Sequence, residues 1–246
     1  MDINNYTPTR ETTHWSVPFE RNATFQNTND WHDCSECLTT QTVFFQVTTA
    51  DALEVISTSA SDGVAGIGTQ TVSVVYLNAS NVLTRTTVTM NGTTAVPLTG
   101  ITANAIISMY ALTGGTNLVS VGSINLRKVG TPTTIYEQIE AGGNRSRSGR
   151  ITCPIGFYIN VKTICVSVQG QSIEVVPRVT RDPFNGATIS QYLYEGITKL
   201  ASGTNGEIKA EGLRLDVGQT LKMSAKTDNT ANARVFGSVN MELVSL

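Results

Sequence analysis

Charge is scarce in this chain of 246 residues. Lys, Arg, Asp and Glu together make up 15% of it, against the roughly 25% usual in soluble domains. The formal net charge is −2, which removes any bulk electrostatic case for binding nucleic acid or an anionic membrane. Histidine is scarcer still. His14 and His32 are the sole imidazoles, and both lie near the N-terminus, so a general base at neutral pH has few candidates. No G-x-S-x-G elbow and no H-E-x-x-H run is present. No apolar stretch approaches the ~20 residues of a membrane helix. The opening MDINNYTPTRETTHW has neither a basic nor an apolar region, so no secretory signal is expected and cytoplasmic synthesis fits. The four cysteines, Cys34, Cys37, Cys153 and Cys165, are too few for a disulfide scaffold. Cys165 is expected to be a small core residue. A Cys153–Cys165 bridge can be drawn, but nothing in the sequence demands it.

Thr, Ser, Asn, Gly and β-branched residues fill the space that charge leaves. That favours strands over helices, and the fold class expected is all-β: two antiparallel sandwich or jelly-roll-like domains with an irregular N-terminal arm. The arm spans 1–40. Pro8 and Pro18 interrupt it, and its single aromatics would be ordered only by docking on another surface. A first β domain covers 41–128. Val43, Phe45 and Val47 alternate with polar positions, as do Val72, Val74 and Tyr76, with Val75 and Leu77 making the opposite face partly apolar. Asn78–Asn81 and Asn91-Gly92 read as turns. Between Leu118 and Lys128 the apolar parity slips at Gly122, where a bulge is expected.

Residues 129–149 read as a joint, with a short helix drawn around Ile135–Glu140. A second β domain covers 150–246. Ile159, Val161 and Cys165, then Ile173, Val175 and Val179, are expected to face inward. Leu221, Met223 and Ala225, and Val235, Val239, Met241 and Leu243, are expected to do the same. One wet and one dry face implies antiparallel strands. Pro177 belongs on an edge or at a bulge.

Candidate sites are few. His32, Cys34 and Cys37 spell H-x-C-x-x-C, three of four zinc ligands, but no second paired cluster accompanies them, so no metal is expected. Gly63, Gly66 and Gly68 lack the following helix and Lys of a phosphate loop and read as a flexible connection. Arg145, Arg147 and Arg150 could meet phosphate or an acidic neighbour, with a solvated linker favoured. Glu137 with Glu140, or Glu207 with Glu211, could be drawn as a glycosidase pair; surface charge is the plainer reading. No catalytic residue and no cofactor is expected.

Two stretches resemble a known group. VISTSASDGVAGIGTQTVSVVYLNASNVLTRTTVTMNGTTAVPL is one. The other is ITCPIGFYINVKTI followed by VVPRVTRDPFNGA and a closing strand ending NMELV. In strand-and-turn order across 41–246 these resemble structural, capsid-associated or decoration-type proteins of tailed bacteriophages. Cys153 before Pro154-Ile155-Gly156, and LDVGQTLK in place of an acidic EKTD run, depart from the pattern. The resemblance implies a virion protein assembled in the host cytoplasm, at the capsid exterior, a vertex or the tail, with no enzyme activity. Its partners would be other virion proteins, including a major capsid protein. It would self-associate, as a trimer by preference or as a pentamer at a vertex, and meet neither nucleic acid nor membrane. Trp15, Phe19, Phe25 and Trp31 would dock on the shell. The alternative is a tail- or vertex-located receptor- or carbohydrate-binding module using Phe184, Tyr192 and Tyr194, whose plainer reading is edge packing.

Overall fold

A computed structural model describes residues 12–25, 32–34, 45, 47, 50–180, 198–210, 212–227 and 231–246. Among them the chain is all strand and loop, built of antiparallel sheets, as its Thr/Val-rich composition dictates. Two N-terminal strands, β1 (Thr12–Phe25) and β2 (His32–Asp33), join sheets made mostly by the C-terminal half. Residues 51–139 form one six-stranded sheet. Its members are β3 (Asp51–Ser57), β4 (Thr69–Asn78), β5 (Leu83–Thr89), β6 (Val96–Gly114), β7 (Ile124–Lys128) and β8 (Ile135–Ile139), in the order β5-β4-β6-β3-β7-β8. Val55, Val72, Val74, Met109, Ile124, Leu126 and Ile139 pack together from this single sheet, so it must curl around them.

The second module is a pair of five-stranded sheets. It adds β9 (Arg150–Thr152), β10 (Phe157–Gln169), β11 (Ile173–Thr180), β12 (Thr198–Leu200), β13 (Asn205–Lys209), β14 (Arg214–Leu215), β15 (Thr220–Lys226) and β16 (Ala231–Ser245). One sheet runs β1-β16-β10-β13 with β14 also on β10; the other runs β12-β11-β15-β2 with β9 also on β15. Their inner faces meet in one core that includes Phe19, Ile159, Val175, Leu221, Val239 and Met241. Leu77, Ala105 and Ile107 of the first sheet reach into the same core. Bulges on β6 make this sharing work. Its pairing with β4 shifts between Val75 and Tyr76 and again between Leu77 and Asn78, which turns successive β6 residues from one core to the other.

Several sequence expectations change. Residues 12–25 are a strand of 14 residues along the whole of β16, not an irregular stretch. Pro18 is accommodated because β1 is an edge strand, where a missing N–H breaks no second ladder. The helix drawn at 135–140 is strand β8, paired with β7 along Ile124–Arg127, and it sends Tyr136 and Ile139 into the sheet's core. Residues 118–123 are loop, and the strand begins only at Ile124. Cys165 is exposed. A bulge at Lys162 separates Val161↔Met241 from Thr163↔Asn240, so the buried parity moves to Ile164, Val166 and Val168. Cys153 is buried and free, Cys34 is buried, and the Cys153–Cys165 bridge is not formed. Val43 lies outside the described residues, Val47 is buried, and Phe45 is 52% exposed. Pro177 sits opposite Met223, past the Ile173–Val175 stretch that β12 covers. The Asn78–Asn81 turn is as expected: Asn78 Oδ1 accepts from the Ser80 and Val82 amides, and Asn81 has a φ of 61°.

Candidate functional site

The residues singled out from sequence do not converge. His14 is on β1 with its ring 79% exposed, Nδ1 standing 3.9 Å from Glu242 Oε1. His32 pairs through its backbone with Ala225 on β15. Cys34 is buried in the sandwich core, its amide donating to Met223 O at 2.7 Å, and Cys37 lies outside the described residues. Among the described residues no three His, Cys, Asp or Glu side chains are gathered to hold a metal. Glu137 is buried, Glu207 is exposed, and Glu211 is outside the described residues.

Of the four aromatics assigned to docking, Phe19 is 1% exposed, packed over Gly237 and Gly149. It is a core residue and is unavailable to a shell, because β1 turns its Val17/Phe19 face into the sandwich. Trp15 and Phe25 stand on β1 opposite Met241 and Ala231. Trp31 and the trio Phe184, Tyr192 and Tyr194 lie outside the described residues.

What the fold does assemble is a seam between the modules. Arg145, Arg147 and Arg150, expected in a solvated linker, are its stitches. Arg145 Nη2 donates to Ser16 O at 2.6 Å, and Arg150 Nη2 donates to Phe45 O at 2.9 Å. Arg147 Nη1 donates to Glu20 Oε2 at 2.7 Å. Glu20 is 1% exposed, and its other oxygen accepts from Arg234 Nε and Nη2 at 2.9 and 2.7 Å. A buried carboxylate held by two guanidinium groups fixes geometry more than it adds net stability, since desolvation offsets much of the attraction. Backbone bonds run alongside: Ser146 N to Met109 O at 2.8 Å on one side, Gly149 N to Pro18 O at 3.0 Å on the other.

Glu137 lies under this seam. It is 1% exposed and its Oε2 has no hydrogen-bond partner. Burial pushes its carboxyl up to about 7, opposed by the Ser148 hydroxyl, Arg150, the Ser146 hydroxyl and Arg145 in falling order. Nearby, Tyr136 donates its hydroxyl to Asp51, which also holds Lys128 Nζ at 2.7 Å. Burial and Asp51 raise the Tyr136 phenol well above its ordinary value.

A second constellation joins two loops of the first sheet. Asp62 is fully buried and accepts four bonds. Oδ1 takes the Thr69 and Val121 amides, both at 2.9 Å; Oδ2 takes the Ser57 hydroxyl at 2.6 Å and the Gly122 amide at 2.8 Å. The S-D-G-V-A-G-I-G-T stretch is therefore a folded loop wrapped on a carboxylate. Gly66 and Gly68 are required by close packing, since a Cβ would lie 2.0 Å from Ser61 O and 2.1 Å from Asp62 Oδ1. Sequence reasoning noted the glycines and missed Asp62, whose signal was an acidic residue inside a glycine loop. Glu20 carried no local signal, because its partners lie more than a hundred residues away in the chain.

A groove of about 890 Å³ lies over β10, β13 and β16 and is lined in part by Cys165, Glu207, Arg147, Arg234 and Phe236. Its lining includes no imidazole to activate the Cys165 thiol, and both arginines are committed to Glu20.

No protein-family model and no curated protein matches the chain. Solved structures that it resembles include a chain from T=1 particles derived from infectious bursal virus, 14% identical, with a TM-score of 0.28 over 97% of this chain and 70% of that one. Another is from the Gx strain of infectious bursal disease virus, 14% identical, with a TM-score of 0.27 over 97% and 73%. Likeness this slight carries neither a fold nor a role across.

Proposed function

We propose that this chain is a non-enzymatic structural protein of a virus particle, at the capsid exterior or a vertex, that packs against other virion proteins and against copies of itself. The observation that carries the reading is the seam. Arg145, Arg147 and Arg150, with Glu20, lock two β modules into one body, where an enzyme of two modules would place a reactive cleft. A stiff body poor in charge suits repeated packing, because each contact orders few groups on assembly. The sequence resemblance across 41–246 points the same way. Shell contact is assigned to Trp15, Phe25 and Trp31, with Phe19 withdrawn because it is spent in the core. Mass spectrometry of purified particles tests the proposal: the chain should be present at a fixed ratio to the major shell protein, and its absence would overturn the role. A Trp15→Ala, Trp31→Ala double variant should fold and fail to incorporate.

A further inference from the structure

The large apolar side chains left in water are not evenly spread. Val64, Ile67, Leu118 and Val121 stand on the two loops that Asp62 ties together. Leu118 is 74% exposed and Val64 68%. These side chains are held, not merely left out. Asn117 N donates to Ile67 O at 2.9 Å, Gly115 N to Gly68 O at 2.7 Å and Leu118 N to Gly115 O at 3.1 Å. Leu118 itself has a φ of 58°, a left-handed conformation unfavourable for a side-chain-bearing residue. Backbone strain that displays an apolar group to water is an outlier that points to a contact.

The loops at this end, 58–68, 90–95 and 114–123, contain one charged residue, Asp62, and it is fully buried. They contain no aromatic residue. A groove of about 370 Å³ adjoins the loop base and is lined by Val119, Glu140, Arg145 and Arg147 among others, so a tip with exposed apolar side chains and no exposed charge is bordered by charged residues.

We infer that this tip is where identical copies of the chain meet about a rotation axis. The inference deepens the self-association in the proposed function and rests on it. At such an axis each residue approaches its own counterpart, so any exposed charge would face its own sign. A tip without exposed charge is self-compatible. A lipid surface would call for Lys, Arg, Trp or Tyr at the tip, and none is there. A partner chosen by charge would find nothing to complement. Four side chains make a small patch, so each contact is weak alone and gains strength when a closed ring forms.

Sedimentation velocity of the full chain over a concentration series tests this. Wild type should pass from monomer to a discrete oligomer. Leu118→Asn, which tolerates the left-handed backbone, should weaken association by about tenfold. Leu118→Asp with Ile67→Asp should abolish it, while Val217→Asp, elsewhere on the surface, should leave it unchanged. Circular dichroism and melting of each variant confirm the fold. A wild type that stays monomeric to its solubility limit overturns the inference, as do tip variants that associate like wild type. Cosedimentation of wild type, but not of the double variant, with phosphatidylserine vesicles would assign the tip to lipid and overturn it too. Absence from purified particles would end the virion role and leave a positive sedimentation result standing; presence in particles with a monomer in solution would end the self-association inference alone.

Discussion

Glu137→Gln is the sharpest test of the seam. The carboxyl is buried, and its folded-state pKa stands at about 7 against an ordinary 4.5, chiefly through desolvation. A raised carboxyl pKa favours folding fully below pH 4.5, and that advantage is lost as pH rises through 7. The shift corresponds to about 3 kcal/mol, at roughly 1.4 kcal/mol per pH unit. For a chain of this size, 3 kcal/mol is roughly 6–12 °C in melting temperature. Glutamine copies the protonated acid in shape, and its NH₂ takes the place of the partnerless Oε2. The assay is thermal or urea unfolding of both proteins from pH 4.5 to 8.5, read as variant minus wild type so that other titrations cancel. The difference should be near zero at the acid end, grow in the variant's favour between about pH 4.5 and pH 7, and level off above that. Parallel curves across the range would refute the reasoning. A variant destabilised equally at every pH would show that Arg150 and Arg145 hold the ionised form after all.

Three further outcomes follow from the geometry. Asp62→Asn swaps an acceptor for an NH₂ that faces donors; it should cost about 2–4 kcal/mol in chemical unfolding and speed hydrogen exchange at the Val121 and Gly122 amides. Gly237→Ala would bring a Cβ to 1.9 Å from Cys165 O and 2.8 Å from Phe19 Cζ, so β10 must shift from β16 and Phe19 must leave its seat, with a loss of about 3 kcal/mol or more and new protease sensitivity within 12–25. Cys165 should take a maleimide in the native protein, whereas Cys153, buried and with its thiol pushed up to about 12, should label only after unfolding.

Alternation was a reliable guide wherever one strand face met one core. Leu221, Met223 and Ala225 on β15, and Val235, Val239, Met241 and Leu243 on β16, are buried as their period predicts. It failed at Cys165, where the inserted Lys162 exchanges the faces. A bulge leaves no mark on composition, and every residue after it inherits the opposite side. Ile135–Ile139 is too short for its apolar spacing to separate a helical turn from a strand, and pairing with β7 decided it. The candidate site was less legible than the fold. Three arginines at 145–150 were visible, but Ser16, Glu20 and Phe45, which receive them, are distant in sequence.

The sequence by itself determined that this chain makes antiparallel β-structure with two dry interiors, because β-branched residues at period two have no other way to leave water. Tertiary structure decided the rest. It brought β1 alongside β16, enclosed Glu20 and Glu137 beneath the connector, and gathered Val64, Ile67 and Leu118 on one tip. Those outcomes depend on which distant segments pair and at what register, and periodicity along a single strand carries no information about its partner.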